Sequence, residues 1–281
     1  MVAAAGALWS MNSVIIKTIE AMDTWQVLLW RSVGMIPVLA LFVVWRGGRL
    51  LGGIGWPGIF GGLGLIGAFA GAIAALQALP VANAVFLFSA APFLTALLGR
   101  VVLGEKVRPV TWGAIVIAGV GIWVMIGGNG IQTGTLIGHL AAIGSAMGFA
   151  VFSVALRAGR GTEMLPTVIL GALFCVALSA TILIAQGTPL PTGPADMGRA
   201  IAMGAIFLAL GMTLYTLGSR VVPASELVLL SQLEVILAPI WAWAILAEHP
   251  PTSTLQGGAL ILFAVLLNAL TGARGTAPQQ A

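Results

Sequence analysis

Pro80-Val81-Ala82-Asn83-Ala84 opens an apolar run that closes at Gly104-Glu105-Lys106, and Pro223-Ala224-Ser225-Glu226-Leu227 opens one that closes at Ala247-Glu248-His249. In each run the glutamate falls 25 positions after the proline, and the two copies lie 143 residues apart in a chain of 281. A second register supports the pairing: Ser13, Val14 and Lys17 match Ser153, Val154 and Arg157 at an offset of 140. The chain therefore reads as a duplication, and the repeated unit is made of long apolar segments.

Composition places those segments in a membrane. Hydrophobic residues make up 59% of the chain and charged residues only 7%, whereas a soluble domain carries roughly 25% charged residues. The net charge of +4 comes from basic residues scattered singly between apolar runs, which form no stripe for a nucleic acid. The single cysteine, Cys175, has no partner for an intrachain disulfide and reads as a small packing residue. A bilayer core about 30 Å thick takes roughly 20 helical residues. Ten runs of that size can be marked: 2–20, 25–45, 56–77, 81–103, 109–127, 135–157, 165–186, 197–218, 223–246 and 253–272. The connections are too short for a soluble domain. The first run has no basic residue before Lys17 and passes into a charged turn, so it reads as a retained helix rather than a signal peptide.

The expected fold is an all-α integral membrane protein of ten transmembrane helices. Residues 1–130 form a first five-helix repeat and 131–281 a second, together one transmembrane domain. Five is odd, so the second repeat enters the membrane from the opposite side and the repeats are inverted. Basic residues favour the cytoplasmic ends of helices. With the amino terminus inside, that face carries Arg46, Arg49, Arg100, Lys106, Arg108, Arg157, Arg160, Arg220 and Arg274, against Lys17, Arg31 and Arg199 toward the other. Both termini are expected in the cytoplasm. Inverted repeats accompany secondary transporters, in which related motions of two halves open a midplane site to alternate sides.

The first repeat reads Gly6-Ala7-Leu8-Trp9-Ser10-Met11-Asn12-Ser13 ending at Lys17, then Arg31, Pro37, Leu79-Pro80-Val81-Ala82-Asn83-Ala84, Pro92, Gly104-Glu105-Lys106, Trp112-Gly113 and Gly119-Val120. It resembles the drug/metabolite transporter superfamily in its ten-helix EamA type, with Pro80, Glu105, Pro223 and Glu248 as the structural marks of the repeat. The second copy departs from the first: Val235 stands for Pro92, His249 for Lys106, and Gln256-Gly257 answers Trp112-Gly113 with one residue inserted. The resemblance implies export of a small polar metabolite across the bacterial cytoplasmic (inner) membrane. Amino-acid exporters of the aromatic type are the best match, and relatives carry sugars, nucleosides and drugs. No cofactor or metal is implied. The absence of a G-x-x-x-x-G-K-[ST] loop agrees with transport driven by a gradient of substrate or of protons rather than by ATP. An intramembrane enzyme would need a nucleophile and base or a metal cluster, and His139 and His249 lie at helix ends without ligand spacing. A channel-like subunit is the remaining rival class, distinguished by flux that does not saturate. A monomer holds both halves, and glycine-rich faces are compatible with a homodimer.

The resemblance places a substrate cavity among the first, third and fourth helices and their repeat mates. Polar or aromatic residues there are the candidate ligands: Trp9, Asn12, Ser13, Gln77, Asn83, Phe86, Phe149, Tyr215, Gln232 and Glu234. For Asn12, a bond to a neighbouring helix is the alternative reading, and for Tyr215 an interfacial anchor. Glu234 falls eleven residues past Pro223, about 16 Å into the membrane, where an ionised acid costs roughly 2.5–3.5 kcal/mol unless paired, hydrated or protonated. It is the leading candidate for receiving a substrate ammonium or a coupled proton. Glu226, in the first turn after Pro223, is a second coupling candidate with a capping role as its alternative. Arg31 is expected to latch onto Glu20 or Asp23, and Glu105 and Glu248 to act as caps or inter-loop pairs. Pro37, Pro92 and Pro239 mark expected kinks.

Overall fold

The computed structural model describes residues 1–52, 54–128, 133–159, 162–188, 193–221 and 230–273. The described residues include twelve α-helices: α1 (Val2–Lys17), α2 (Thr24–Trp45), α3 (Trp56–Ala78), α4 (Val81–Phe88), α5 (Ala91–Leu103), α6 (Pro109–Gly128), α7 (Thr133–Ala158), α8 (Leu165–Gln186), α9 (Pro194–Ala202), α10 (Ala209–Val221), α11 (Leu233–Leu246) and α12 (Thr252–Ala273). A π-helical turn, Met203–Leu208, joins α9 to α10. Among the described residues, eight stretches are long and apolar enough to cross a membrane, with α4 and α5 counted together and α9 running through to α10. The helices α1 and α11 are shorter apolar pieces of 16 and 14 residues. Large apolar side chains such as Trp45, Trp123 and Ile184 stay exposed on the outside, as a lipid-facing surface requires.

Helix ends follow local chemistry. The Asp23 carboxylate accepts from the backbone N–H groups of Trp25 and Gln26, both at 2.8 Å, and the Gln26 side chain accepts from Asp23 N at 3.0 Å. This closed capping box satisfies donors that α2 would otherwise leave orphaned. At the other end of the fourth and ninth spans the repeat is visible atom by atom. Gly104 (φ 68°) and Ala247 (φ 52°) both take the left-handed conformation, and the next residue's N–H turns back onto the helix. Glu105 N donates to Gly99 O, and Glu248 N donates to Ala242 O, each at 3.2 Å. These are matched left-handed helix ends, each closed on the same carbonyl register. Ala247 carries a Cβ where its counterpart is glycine, at a cost of about 1–2 kcal/mol that glycine's greater unfolded freedom only partly offsets. Ala247→Gly is therefore expected to raise the unfolding temperature in detergent by about 1–3 °C; a lower temperature would show that the cap is held by something else.

The main packing pairs are kept when the halves are exchanged. α1 lies against α11 and the α9–α10 span, and its mate α7 lies against the α4–α5 span and α3. α2 packs on α8 and α6 on α12, each mate on mate. With five spans in each half, exchange symmetry of this kind is that of an inverted repeat. Close approach relies on missing side chains: Gly64 and Gly148 bring the α3 and α7 backbones together, while Gly121 and Gly257 do so for α6 and α12. Gly113 and Gly119, by contrast, have no neighbouring atom within 4 Å of a Cβ position.

Two spans are broken, the fourth near the kink expected at Pro92 and the ninth where none is expected. The fourth turns at Ser89–Ala90, where the Pro92 ring cannot coexist with the carbonyl four residues earlier and has no N–H to donate. The ninth turns at Gln232, so Glu234 belongs to the first turn of α11 rather than to the middle of a long helix. Pro223, Ser225 and Glu226 lie outside the described residues.

Candidate functional site

Both breaks face one cavity of about 460 Å³, within the usual range of roughly 300–1,000 Å³ for small-molecule sites. Trp9, Asn12 and Ser13 line it from α1, Phe69 from α3, Ser89 from the break in the fourth span, Phe149 and Ser153 from α7, Tyr215 from α10, and Gln232 and Glu234 from the break in the ninth. Gly6 allows this arrangement, because α1 passes so close to the ninth-span break that a Cβ there would meet Leu230 O at 3.2 Å and Glu234 N at 3.3 Å.

Aromatic rings form one wall. Trp9 and Phe149 meet edge to face at 5.9 Å, Trp9 and Tyr215 lie 5.3 Å apart, and Phe149 and Tyr215 lie 5.5 Å apart. Tyr215 is 5% exposed, which rules out its reading as an interfacial anchor. Polar groups are left open among the rings: Trp9 Nε1, Asn12 Oδ1, Thr216 Oγ1 and Gln232 Oε1 are buried without a protein partner. Buried donors and acceptors normally find partners, so this wall holds hydrogen-bonding capacity for something that enters. Asn12 Oδ1 being unpaired also removes the alternative in which that oxygen bonds a neighbouring helix. Glu234 is partly exposed and makes none of the described ion pairs. Its position in the first turn of α11 favours negative charge through the unpaired N–H groups of the helix start.

Three sequence candidates are placed elsewhere. Gln77 is exposed at the end of α3, where its Nε2 donates to Met22 O at 3.0 Å and its Oε1 accepts from Thr24 Oγ1 at 2.6 Å. Asn83 is buried against α12 and accepts from Thr254 Oγ1. The Phe86 ring covers the Gly258 backbone. The expected latch of Arg31 is also corrected: Asp23 is occupied by the α2 cap, and Arg31 turns inward to the cavity wall. What sequence reasoning missed is that cap. Asp23 followed three residues later by Gln26 was its available signal.

The repeat glutamates tie spans together at opposite faces. Glu105 accepts from Arg157 Nη1 at 2.7 Å, and Arg157 Nη2 also donates to Thr95 O at 3.1 Å. Glu248 lies 3.7 Å from Lys17 and accepts from Val81 N at 2.8 Å. Lys17 and Arg157 are repeat mates, as are the two glutamates. The faces nevertheless differ in access. Glu105, Lys106, Arg108, Arg157 and Asn268 line the mouth of the cavity. The other face is crossed by the Glu248 ties, by Gln77, and by Asp196, which accepts from Ala21 N at 3.0 Å. Arg199 adds a bond to Thr18 O at 2.9 Å. Among the described residues, the cavity lining reaches the Glu105 face and does not reach the Glu248 ties. Among the described residues no three His, Cys, Asp or Glu side chains converge as a metal site would need.

Matching halves, two broken spans and a largely apolar cavity with a few polar groups define a multi-pass membrane protein of two repeated halves. The chain belongs to the EamA-like transporter family, which matches residues 1–127 and again residues 136–270. The double match falls on the two halves seen in the packing. No curated protein matches the chain. A solved chain described only as "Crystal structure of protein" is similar with a TM-score of 0.67 and 22% identity, covering 97% of this chain and 96% of that one. At that identity the likeness concerns the fold alone.

Proposed function

We propose that the protein is a secondary transporter that exports small polar metabolites, amino acids foremost, across a bacterial cytoplasmic membrane by alternating access. The observation that carries this reading is the Glu234 carboxylate, set without a described ion-pair partner in a cavity walled by Trp9, Phe149 and Tyr215. An acid in such a place matches a substrate that brings an ammonium group and an apolar side chain. Residues 1–130 and 131–281 act as the two halves of one transport unit, sufficient as a monomer. The abundance of basic residues on the Glu105 face supports a cytoplasmic assignment for that face, so the charged rim of the cavity lies on the side from which an exporter loads. Glu234 also serves as the coupling group when a proton gradient drives the cycle.

The test is flux of radiolabelled amino acids through proteoliposomes containing the purified protein, with and without a pH gradient. Expected are saturation, competition between amino acids, and counterflow when unlabelled amino acid is preloaded. Linear flux without counterflow would make the protein a channel. Saturable flux of a sugar or nucleoside with none of any amino acid would keep the carrier and replace the substrate class.

A further inference from the structure

The cavity wall holds a second charged group that the reading above does not use. Arg31 lies on α2, about 10 Å along the helix from its start, and is 1% exposed. Its guanidinium stacks 4.8 Å from the centroid of Phe69, and both residues line the cavity. Nε and Nη2 have no hydrogen-bond partner. The ion pairs found among the described residues use Lys17, Arg157 and Arg199, and none uses Arg31. Asp23 is committed to the α2 cap, Glu20 is exposed at the surface, and Glu234 does not come within ion-pair distance.

A guanidinium is always charged and offers five donors in a planar fork suited to carboxylates. Enclosed with donors idle, it is costly, and an arriving anion removes that cost. Its backbone is also held in place. Gly204, in the π-helical turn, lies so close that a Cβ there would clash with Arg31 O, and Gly34, one turn on, meets Ile201 O in the same way. Two backbones in contact fix the height of Arg31 in the cavity wall. A π-turn in an otherwise α-helical span often marks a functional site.

We infer that Arg31 is the receptor for the carboxylate of the transported molecule, acting opposite Glu234 as receptor for its ammonium group. The inference rests on the cavity being the transport site and narrows its substrate to a zwitterion with an apolar or aromatic side chain, the α-amino acid pattern. Arg31 and Glu234 stand on α2 and α11, in different halves, so a bound zwitterion bridges the halves that alternating access must move.

The test uses purified full-length protein and three probes that share one ring: phenylalanine, 3-phenylpropionate (no ammonium) and 2-phenylethylamine (no carboxylate). Binding is read by tryptophan fluorescence and by ligand-induced thermal shift for wild type, Arg31→Met, Arg31→Lys and Glu234→Gln. Arg31→Met is expected to weaken phenylalanine and 3-phenylpropionate at least tenfold while leaving 2-phenylethylamine unchanged. Arg31→Lys should restore part of the loss, and Glu234→Gln should show the reverse selectivity. Without ligand, Arg31→Met should unfold at the same or a higher temperature, because an idle buried charge has been removed. A purely structural arginine would lower that temperature and leave the ligand order intact, overturning the inference. Phenylalanine binding that depends on Glu234 but not on Arg31 overturns it while the amino-acid reading stands. Arg31-dependent binding of 3-phenylpropionate alone supports the carboxylate site and removes the amino-acid reading. A thermal shift from chloride equal to that from the acids, lost in Arg31→Met, makes the occupant an inorganic anion and overturns the assignment. Saturable binding of none of the three overturns both.

Discussion

Glu234→Gln is expected to lower saturable amino-acid flux by about 10- to 100-fold. The substitution keeps the shape and removes the charge. A hydrogen bond to a charged group contributes about 1.5–3 kcal/mol, and each 1.4 kcal/mol is a factor of about ten. Folding should not suffer, since glutamine removes an acid from a site within the membrane, and the unfolding temperature in detergent is expected to stay level or rise. Initial rates in proteoliposomes give the comparison, with Glu105→Gln at the cavity mouth as the reference variant. Glu105 meets Arg157 at the rim, with its side chain 41% exposed, where ion pairs contribute about 0–1 kcal/mol; its loss should cost flux much less. Equal flux in wild type and Glu234→Gln would remove Glu234 from the mechanism. Exchange that survives while gradient-driven flux is lost would assign the carboxylate to proton coupling rather than to substrate binding.

The second large effect is structural. Gly148→Val is expected to abolish most folded protein, because a Cβ at position 148 would clash with the backbone N of Ala68 and with Gly64 O. Backbone atoms cannot rotate away as a side chain could, so α3 and α7 would have to separate. Overpacking costs about 1–3 kcal/mol and sometimes more, against a total stability of about 5–15 kcal/mol. In lipid the loss is felt in full, since helix association depends on close packing rather than on the hydrophobic effect. The same separation would strain the bond from Ser145 Oγ to Ala68 O, 2.7 Å long, and displace the wall carrying Phe69 and Phe149. Gly119→Val is the matched control, since nothing lies within 4 Å of its Cβ position. Yield of monodisperse protein on size exclusion reads both variants; equal yields would show that α3 and α7 can re-pack.

The glycines show how far sequence carries. A run such as Gly61-Gly62-Leu63-Gly64 announces close packing somewhere, yet the structure divides its members: Gly62 turns to α8 and Gly64 to α7. Gly113 and Gly119 look no different in sequence and have no neighbouring atom within 4 Å of a Cβ position. Sequence proximity pairs Arg31 with Glu20 and Asp23, whereas the α2 cap consumes Asp23. Gln77, Asn83 and Phe86 were polar or aromatic at plausible depths, and each is turned to a neighbour instead of the cavity. Counting residues places Glu234 at depth, but no residue signals the helix break that puts it at a helix start, since Val235 stands where the first repeat has Pro92.

What the sequence by itself determined is what depends on length and local bonding. Ten apolar runs follow from bilayer thickness, the duplication from the Pro80–Glu105 and Pro223–Glu248 intervals, and the repeated helix ends from Gly104-Glu105 and Ala247-Glu248. Only the tertiary structure decided which face of each helix meets the cavity. A helix that is apolar all round carries no pattern to orient it, and lipid and protein neighbours are nearly equal in polarity. Rotation about the axis is set instead where backbones touch, at Gly148 against Ala68 and at Gly204 against Arg31, and those contacts join residues that are far apart in the chain.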